Sequence, residues 1–278
     1  MGSTVEENEI EYHREIARQA AESLAPVPPE VLRRYRKTAN WRLFEKEFIF
    51  KWVRDLAEKR QPEPLLVGDF GCGDGSHSCE AALVIDNTKM IGFDLSPDLI
   101  QVAQQRAELN NIGDRVEFFV ANAENHDPLK GVQVDVMLCL SILHHVELDA
   151  VVPNLLSATK PGGVIIIREP IAFSQSLQNL RDKSGVKKDV SPDERQLSKE
   201  EIDYLLSLVE NPTISYSRLL SRLSVFLPNQ NKIDSGHPFT KAMMLFLHWT
   251  DYLLLKICPP LKKYCGRVVI IGHRPLSG

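Results

Sequence analysis

The chain lacks the features that mark secreted, disulfide-stabilised or metal-binding proteins. Its 278 residues include five cysteines, and none of them forms a Cys-x-x-Cys pair, so neither a disulfide framework nor a metal site is predicted. The N-terminus has no apolar segment of the kind that forms a signal peptide. We therefore expect a cytoplasmic protein in a reducing environment.

The sequence also lacks an excess of positive charge. The 33 Lys and Arg residues are outnumbered by 37 Asp and Glu residues, which gives a net charge of -4. A protein devoted to nucleic acid normally presents a basic surface, so no nucleic-acid partner is expected. Apolar residues make up 43% of the chain, which is enough to build the core of a globular protein of this length.

Short apolar runs alternate with longer helical segments from residue 65 onward. The runs are Leu65 to Phe70, Met90 to Asp94, Val116 to Val120, Val134 to Leu140 and Val164 to Ile167. Runs this short and this apolar are typical of buried parallel strands, with crossover helices predicted near 76–85, 97–110 and 147–159. The pattern predicts an α/β fold with a Rossmann-like, doubly wound sheet. A tight turn is predicted at 160–163, where the sequence is KPGG.

Two further regions frame the predicted sheet. Helical spacing precedes the first strand, so residues 1–60 are predicted to form a helical cap and residues 61–278 the main domain. Within that domain, residues 171–262 are predicted to form a lid or helical insertion before the last strand, at 267–272. A long polar loop opens the insertion, and a helix near 240–257 nearly closes it.

The stretch VGDFGCGDGS, residues 67–76, is a glycine-rich turn between a strand and a helix. Gly71 and Gly73 let a ligand approach the backbone, and the helix that follows offers unpaired N–H groups. Those features fit NAD, FAD and S-adenosylmethionine equally well. Ser76, however, stands where the dinucleotide motif G-x-G-x-x-G has its third glycine, which disfavours a nicotinamide oxidoreductase.

The charges near this turn favour a cationic cofactor. The turn carries Asp69 and Asp74, and no Lys or Arg lies between residues 65 and 88. A pyrophosphate would meet carboxylates there, whereas a sulfonium and an ammonium would be attracted. Asp94 ends the second strand and can accept hydrogen bonds from both hydroxyls of a ribose, although it could instead help to cap the next helix. Together these residues favour S-adenosylmethionine.

Five sequence blocks carry a family resemblance. LLVGDFGCGDGS, MIGFDLSPD, VEFFVANAEN, VDVMLCLSILHHV and KPGGVIIIRE resemble, in order and spacing, the signature blocks of class I S-adenosylmethionine-dependent methyltransferases. The resemblance covers about residues 63–170, with a weaker match in the last strand. It implies a seven-stranded sheet whose last strand is antiparallel, with S-adenosylmethionine bound across the carboxyl ends of the first strands.

The resemblance also implies a set of cofactor-binding residues. Gly71 and Gly73 would line the methionine portion, and Asp94 would hold the ribose. Asn122 stands where the family often has an Asp that binds the adenine amino group, and it can accept the same hydrogen bond without a charge. The implied set is Asp69, Gly71, Cys72, Gly73, Asp94, Leu95, Asn122, Ala123, Leu140 and Ser141.

Candidate catalytic residues follow the fourth and fifth strands. Methyl transfer depends mainly on alignment, and a general base is needed only when the acceptor arrives protonated. His144 and His145 are candidates because imidazole titrates near neutrality, and Glu169 is a third. The alternatives are that the histidines pack or cap the next helix and that Glu169 forms a salt bridge with Arg168 or Arg195.

The acceptor is suggested by the most apolar segment of the chain, KAMMLFLHWTDYLLLKIC at 241–258. It is too short and too charged to span a bilayer. It could line an apolar acceptor pocket, form a homodimer interface, rest on a membrane surface or simply pack on the sheet. The basic cluster at 33–37 is either a solvated helix face or a guide for an anionic group on the acceptor.

The leading hypothesis is methyl transfer from S-adenosylmethionine to a small, apolar or amphiphilic metabolite. The exit of the fourth strand lacks the Asn/Asp-Pro-Pro-aromatic turn that is typical of methyltransferases acting on nucleic-acid bases. The alternative hypothesis is a non-catalytic, methyltransferase-like binding protein or membrane-surface module.

Overall fold

The computed structural model describes residues 5–37, 43–171, 196–227 and 238–276. The α-helices are α1 (Val5–Glu22), α2 (Pro29–Lys37), α3 (Glu45–Arg60), α4 (Ser76–Val84), α5 (Pro97–Leu109), α6 (Leu148–Ala158), α7 (Lys199–Ser207) and α8 (Pro238–Ile257). The strands are β1 (Leu65–Phe70), β2 (Thr88–Asp94), β3 (Val116–Val120), β4 (Val134–Leu140), β5 (Thr159–Pro170), β6 (Glu210–Ser217) and β7 (Arg267–His273). Two 3₁₀ helices span Ser221–Phe226 and Pro259–Tyr264.

The strands form one seven-stranded sheet in the order β3-β2-β1-β4-β5-β7-β6. β1 pairs in parallel with β2 and β4, whereas β7 is antiparallel to both of its neighbours, β5 and β6. The predicted α/β fold and the antiparallel last strand are thus confirmed. The strand order reverses between β1 and β4, and in open α/β sheets ligands bind beyond the carboxyl ends of the strands at such a point.

The sheet is buried on both faces. Along β4, Val136 and Leu138 belong to one apolar cluster, and Met137 and Cys139 belong to the other. Successive side chains on a strand point to opposite faces, so this alternation means that helices cover both sides of the central strand. Burial on both faces explains why the sequence of β4 is an almost continuous apolar run.

The predicted tight turn at 160–163 is wrong, because these residues lie within β5. Thr159 pairs with Val134 and Val164 pairs with Val136, so the residues between them form a bulge opposite β4. Gly162 has a φ of +73°, a conformation that glycine adopts without steric cost. The chain does bend here, but inside a strand rather than before it.

The helices before β1 pack directly against the rest of the molecule. Ala17 of α1 contacts the apolar surface that Leu99 and Val102 present on α5. Phe50 of α3 is fully buried in the sheet core. The division into a cap at 1–60 and a main domain stays a proposal.

Most of the predicted polar loop falls on residues 172–195, outside the described part of the chain. Within the predicted insertion, β6 is a strand of the main sheet.

Candidate active site

A cavity of about 430 Å³ lies at the carboxyl ends of β1, β2, β3 and β4. Its wall contains nine of the ten residues that the resemblance implied for the cofactor. They are Gly71, Cys72, Gly73, Asp94, Leu95, Asn122, Ala123, Leu140 and Ser141. The fold therefore brings residues from four strand ends to one surface, and their role in binding stays a prediction.

The two glycines of the turn after β1 have different structural roles. Gly71 and Gly73 have φ values of +72° and +54°, in the left-handed region that favours glycine. A Cβ atom on Gly71 would collide with Ile142 of the loop after β4. A Cβ atom on Gly73 would meet nothing within 4 Å, so the backbone there borders open space that a ligand can enter.

The Asp94 carboxylate is fixed in the cavity wall by two backbone groups. Its Oδ2 accepts a hydrogen bond from Gly73 N at 2.9 Å, and its Oδ1 accepts one from Ser96 N at 3.0 Å. A carboxylate oxygen can accept more than one hydrogen bond, so these two contacts do not by themselves prevent Asp94 from binding ribose hydroxyls. Asp94 is thus tied to the start of α5 and also lines the cavity, and its binding to a ribose stays a prediction.

Asp69, the tenth predicted cofactor residue, is not in the cavity wall. It is 2% exposed, and its Oδ2 accepts a hydrogen bond from Ser78 Oγ at 2.5 Å. Burial raises the pKa of the Asp69 carboxyl to about 6, against the opposing effects of the Ser78 hydrogen bond and of Arg168. Asp69 lies behind the turn and joins β1 to α4, so it does not contact the cavity directly.

The charge of the glycine turn differs from the expectation based on neighbouring sequence. Arg106 of α5 places its Nη2 2.5 Å from Asp74 Oδ2 and donates from Nε to Asp74 O at 3.0 Å. The carboxylate of Asp74 is therefore neutralised by a residue distant in sequence. Asp94 remains as the acidic residue that both lines the cavity and can serve a ribose.

The three candidate catalytic residues are in different environments. His145 lines the cavity. His144 is buried, with its Nδ1 2.7 Å from Glu169 Oε2. Glu169 is fully buried, and its Oε1 accepts hydrogen bonds from the N–H groups of Ile142 and Leu143, both at 2.9 Å. Glu169 therefore organises the loop after β4 and is not paired with Arg168, while Arg195 lies outside the described residues.

Several cavity residues were missed by sequence reasoning. His13 and Ile16 of α1 lie over the cavity, and His13 stands with its ring 6.4 Å from that of His145. The available signal was the helical spacing of α1, which predicts one covered face but not what it covers. His77 and Arg168 also line the cavity. The sequence suggested Arg168 only as a partner for Glu169.

Comparison with known proteins identifies the family. The sequence pattern described as "Methyltransferase domain" matches residues 65–210, which is more than half of the chain. The chain belongs to this methyltransferase family. The resemblance to class I S-adenosylmethionine-dependent methyltransferases, the enzyme class and the cofactor are thereby confirmed.

Curated relatives of this methyltransferase match it over a limited length. Ribosomal protein L11 methyltransferase of Photobacterium profundum is 36% identical over 99 residues, covering 36% of this chain and 31% of that protein. O-methyltransferase 3 of Dictyostelium discoideum is 28% identical over 153 residues, covering 52% and 35%. The chain thus spans about a third of the length of the curated relatives it matches.

Solved structures extend the similarity of fold across nearly the whole methyltransferase. Magnesium protoporphyrin IX methyltransferase of Synechocystis PCC 6803, with bound S-adenosylhomocysteine, has a TM-score of 0.54 at 16% identity and covers 95% of this chain and 97% of that one. Geranyl diphosphate methyltransferase has a TM-score of 0.52 at 15% identity, covering 81% and 77%. At this identity the likeness establishes the fold alone.

The cavity of this methyltransferase fits S-adenosylmethionine on its own geometry. Gly73 leaves its side of the turn open to a ligand. Asp94 lies in the cavity wall and is oriented by two backbone N–H groups. Asn122 lies in the same wall, where its Oδ1 accepts from Glu124 N at 2.9 Å. No group of three His, Cys, Asp or Glu side chains that could hold a metal occurs among the residues the structure describes.

A second cavity, of about 370 Å³, lies between α3, β6 and α8. Its apolar wall is formed by Phe44, Phe48, Tyr216, Tyr252 and Leu255. The inner face of α8 thus lines a pocket, which was one of the interpretations of the apolar segment. The outer face of the same helix is exposed at Phe246, Trp249, Leu253 and Ile257.

The basic cluster at 33–37 is partly used in packing. Arg34 Nε lies 3.1 Å from the buried carboxylate of Glu47, and Arg36 donates to Leu83 O at 2.9 Å. Tyr35 is buried in the core beside Phe50. These contacts give three residues of the cluster a role in packing, which differs from the solvated helix face that the sequence suggested.

Proposed function

We propose that this chain transfers a methyl group from S-adenosylmethionine to a small amphiphilic acceptor with an apolar body and a polar end. The observation that carries the proposal is the apolar cavity between α3, β6 and α8. Its volume of about 370 Å³ falls in the range of small-molecule sites, which are lined mainly by apolar and aromatic side chains.

Charged residues connect the two cavities. Glu45 lines the apolar cavity and Arg168 lines the cofactor cavity. Burial acts to raise the pKa of Glu45, but Arg267 and Arg218 outweigh it and hold that pKa below its usual value, with a smaller effect from Arg168. Arg168 thus lies near enough to Glu45 for their charges to interact, and the proposal places the acceptor on the Glu45 side and the cofactor on the Arg168 side.

The chain's own residues would bind the cofactor, exclude water from the cavity and remove a proton from the acceptor. The cofactor supplies a methyl group on a positively charged sulfur, already activated for displacement. Asp94 would accept from the ribose hydroxyls, and His13 and Ile16 of α1 would exclude water from the cavity. The His145 imidazole would take the proton of an acceptor that arrives protonated. Glu169 would act as a positioning residue through the loop that carries His145.

Two tryptophan substitutions on α8 test the acceptor site. Leu255→Trp places a large side chain in the apolar cavity, and Leu253→Trp makes the same change on the exposed face of the helix. Incorporation of radiolabelled methyl groups is measured with long-chain acids, phenols and ribosomal protein L11 as acceptors. We expect L255W to lower kcat/KM for the best small acceptor at least about tenfold without changing affinity for S-adenosylhomocysteine, whereas L253W changes neither.

Two outcomes would contradict this proposal. Full activity of L255W would exclude the apolar cavity as the acceptor site. Labelling of the protein acceptor alone would assign the chain to a protein methyltransferase, in line with the name of the relative from Photobacterium profundum.

A second candidate function, docking on an anionic membrane surface, is favoured by the outer face of α8. Phe246, Trp249, Leu253 and Ile257 follow one helical stripe and are between 46% and 78% exposed. The charges at residues 238–264 are four lysines and one acid, Asp251, which is buried. In the described parts of the chain, no helix is both long and apolar enough to cross a bilayer, so this contact would be peripheral.

Vesicle sedimentation tests the membrane candidate. We expect binding to vesicles of phosphatidylserine and phosphatidylcholine, weaker binding to phosphatidylcholine alone, and loss of binding in the double variant F246D/L253D. A matched double variant on an exposed part of the sheet edge, T213D/N211D, should bind like the wild type. If the stripe instead joins two copies of the chain, F246D/L253D will change the sedimentation coefficient without lipid.

A further inference from the structure

The guanidinium of Arg168 is a buried cation in the wall of the cofactor cavity. Arg168 is 8% exposed. Its Nη1 lies 3.2 Å from His77 Nε2, and its Nη2 donates to Ser141 Oγ at 3.4 Å. Its Nε is buried and has no hydrogen-bond partner. Within the described residues, no carboxylate oxygen lies within ion-pair distance of this guanidinium.

The acids near Arg168 form no ion pair with it, although the charges of Glu45 and Glu169 act to raise its pKa. Glu169 is engaged by His144 and two backbone N–H groups. Glu45 is closer to two other arginines, with Arg267 Nη1 at 3.2 Å and Arg218 Nε at 3.7 Å. Glu45 is thus shared among three arginines, and the cluster keeps an excess of positive charge.

His77 does not compensate Arg168 either. Burial lowers the pKa of His77 well below its usual value, with further lowering by Lys46 and Arg168, so the imidazole is neutral and can accept from the guanidinium. Burial lowers the pKa of Arg168 to about 10, with added lowering from Arg267. Arg168 therefore stays charged at neutral pH. A buried charge without an ion-pair partner is costly, and a bound anion would reduce that cost.

We propose that Arg168 is the anion-binding residue of this site and that its ligand is a carboxylate. The free Nε–H and a neighbouring Nη–H form the two-pronged donor that carboxylates bind in parallel. Two carboxylates qualify, that of the cofactor's amino-acid portion and one on the acceptor. The inference rests on the proposed function. If the cofactor carboxylate does not bind Arg168, Arg168 becomes the specific partner for the polar end of the acceptor.

Calorimetry with two nucleosides distinguishes the sources. S-adenosylhomocysteine carries the amino-acid portion, and 5′-methylthioadenosine lacks it. The variants are Arg168→Gln, Arg168→Lys as the charge-retaining form, and Arg33→Gln as an exposed control. If the cofactor carboxylate is the ligand, R168Q lowers the affinity for S-adenosylhomocysteine about 10- to 100-fold and leaves the affinity for 5′-methylthioadenosine unchanged. The affinity of R168K for S-adenosylhomocysteine is then intermediate, and that of R33Q equals the wild-type value.

If the acceptor carboxylate is the ligand, R168Q leaves both nucleosides unchanged. The protein saturated with S-adenosylhomocysteine then binds octanoate more tightly than 1-octanol, and R168Q removes that preference. The proposal is overturned if R168Q lowers the affinities for the two nucleosides equally. It is also overturned if R168Q changes neither these affinities nor the preference for octanoate over 1-octanol. Should R168Q fail to fold, R168K is judged by the same criteria. Failure of the wild type to bind S-adenosylhomocysteine would instead refute the proposed function.

Discussion

At the residue scale, the Glu169 carboxylate determines the structure of the loop after β4. It accepts two backbone N–H groups and contacts His144, all in a buried environment. We expect Glu169→Ala to lower the free energy of unfolding by about 3 kcal/mol, because it leaves buried donors without acceptors. Glu169→Gln should cost about 1 kcal/mol or less, because its carbonyl oxygen can accept the same two N–H groups and its amide can face His144 Nδ1. Urea unfolding measures both, and equal destabilisation by the two substitutions would contradict this role.

Residue roles at this site could be predicted only in part from the sequence. The glycine turn and Asp94 were identifiable because their functions depend on local backbone geometry and spacing. His144 and His145 are adjacent and chemically identical, so only the fold separates the buried histidine from the one in the cavity. Arg106 neutralises Asp74 from 32 residues away, and Arg168 reaches the cavity from β5. Neither contact has a signal in the neighbouring sequence.

At the scale of elements, α1 closes one side of the cofactor cavity. It is held against α5 by Ala17, which is 3% exposed. Ala17→Arg should displace α1 and weaken binding of S-adenosylhomocysteine about fivefold to tenfold, equivalent to about 1 kcal/mol of lost contacts. Ala21→Arg, on the exposed surface of the same helix, is the control and should bind normally. Calorimetry measures both affinities, and unchanged binding by A17R would show that α1 does not contribute to the site.

The strands were predictable as elements, and their pairing was less so. Apolar runs bounded by turn residues located β1, β3 and β4 with the bounds that the structure has. β5 begins five residues before its apolar run because Thr159 pairs with Val134 across a bulge, and such pairing depends on a partner strand distant in sequence. The same limit applies to α8. Both of its faces carry apolar residues, so the sequence does not show which face lines the cavity and which is exposed.

At the scale of the whole molecule, the buried Asp69 carboxyl makes stability depend on pH. Its pKa is raised to about 6 from 3.8, so the folded protein holds a proton that the unfolded chain has already lost between these values. The stability from this group is fully present below about pH 3.8 and is lost as the pH rises through about 6. Asp69→Asn keeps an acceptor for Ser78 Oγ and cannot ionise. The free energy of unfolding of the wild type, minus that of D69N, should therefore fall by about 1 kcal/mol between about pH 5 and about pH 7 in urea titrations. A difference that stays constant over this range would mean that Asp69 is ionised in the folded protein throughout it.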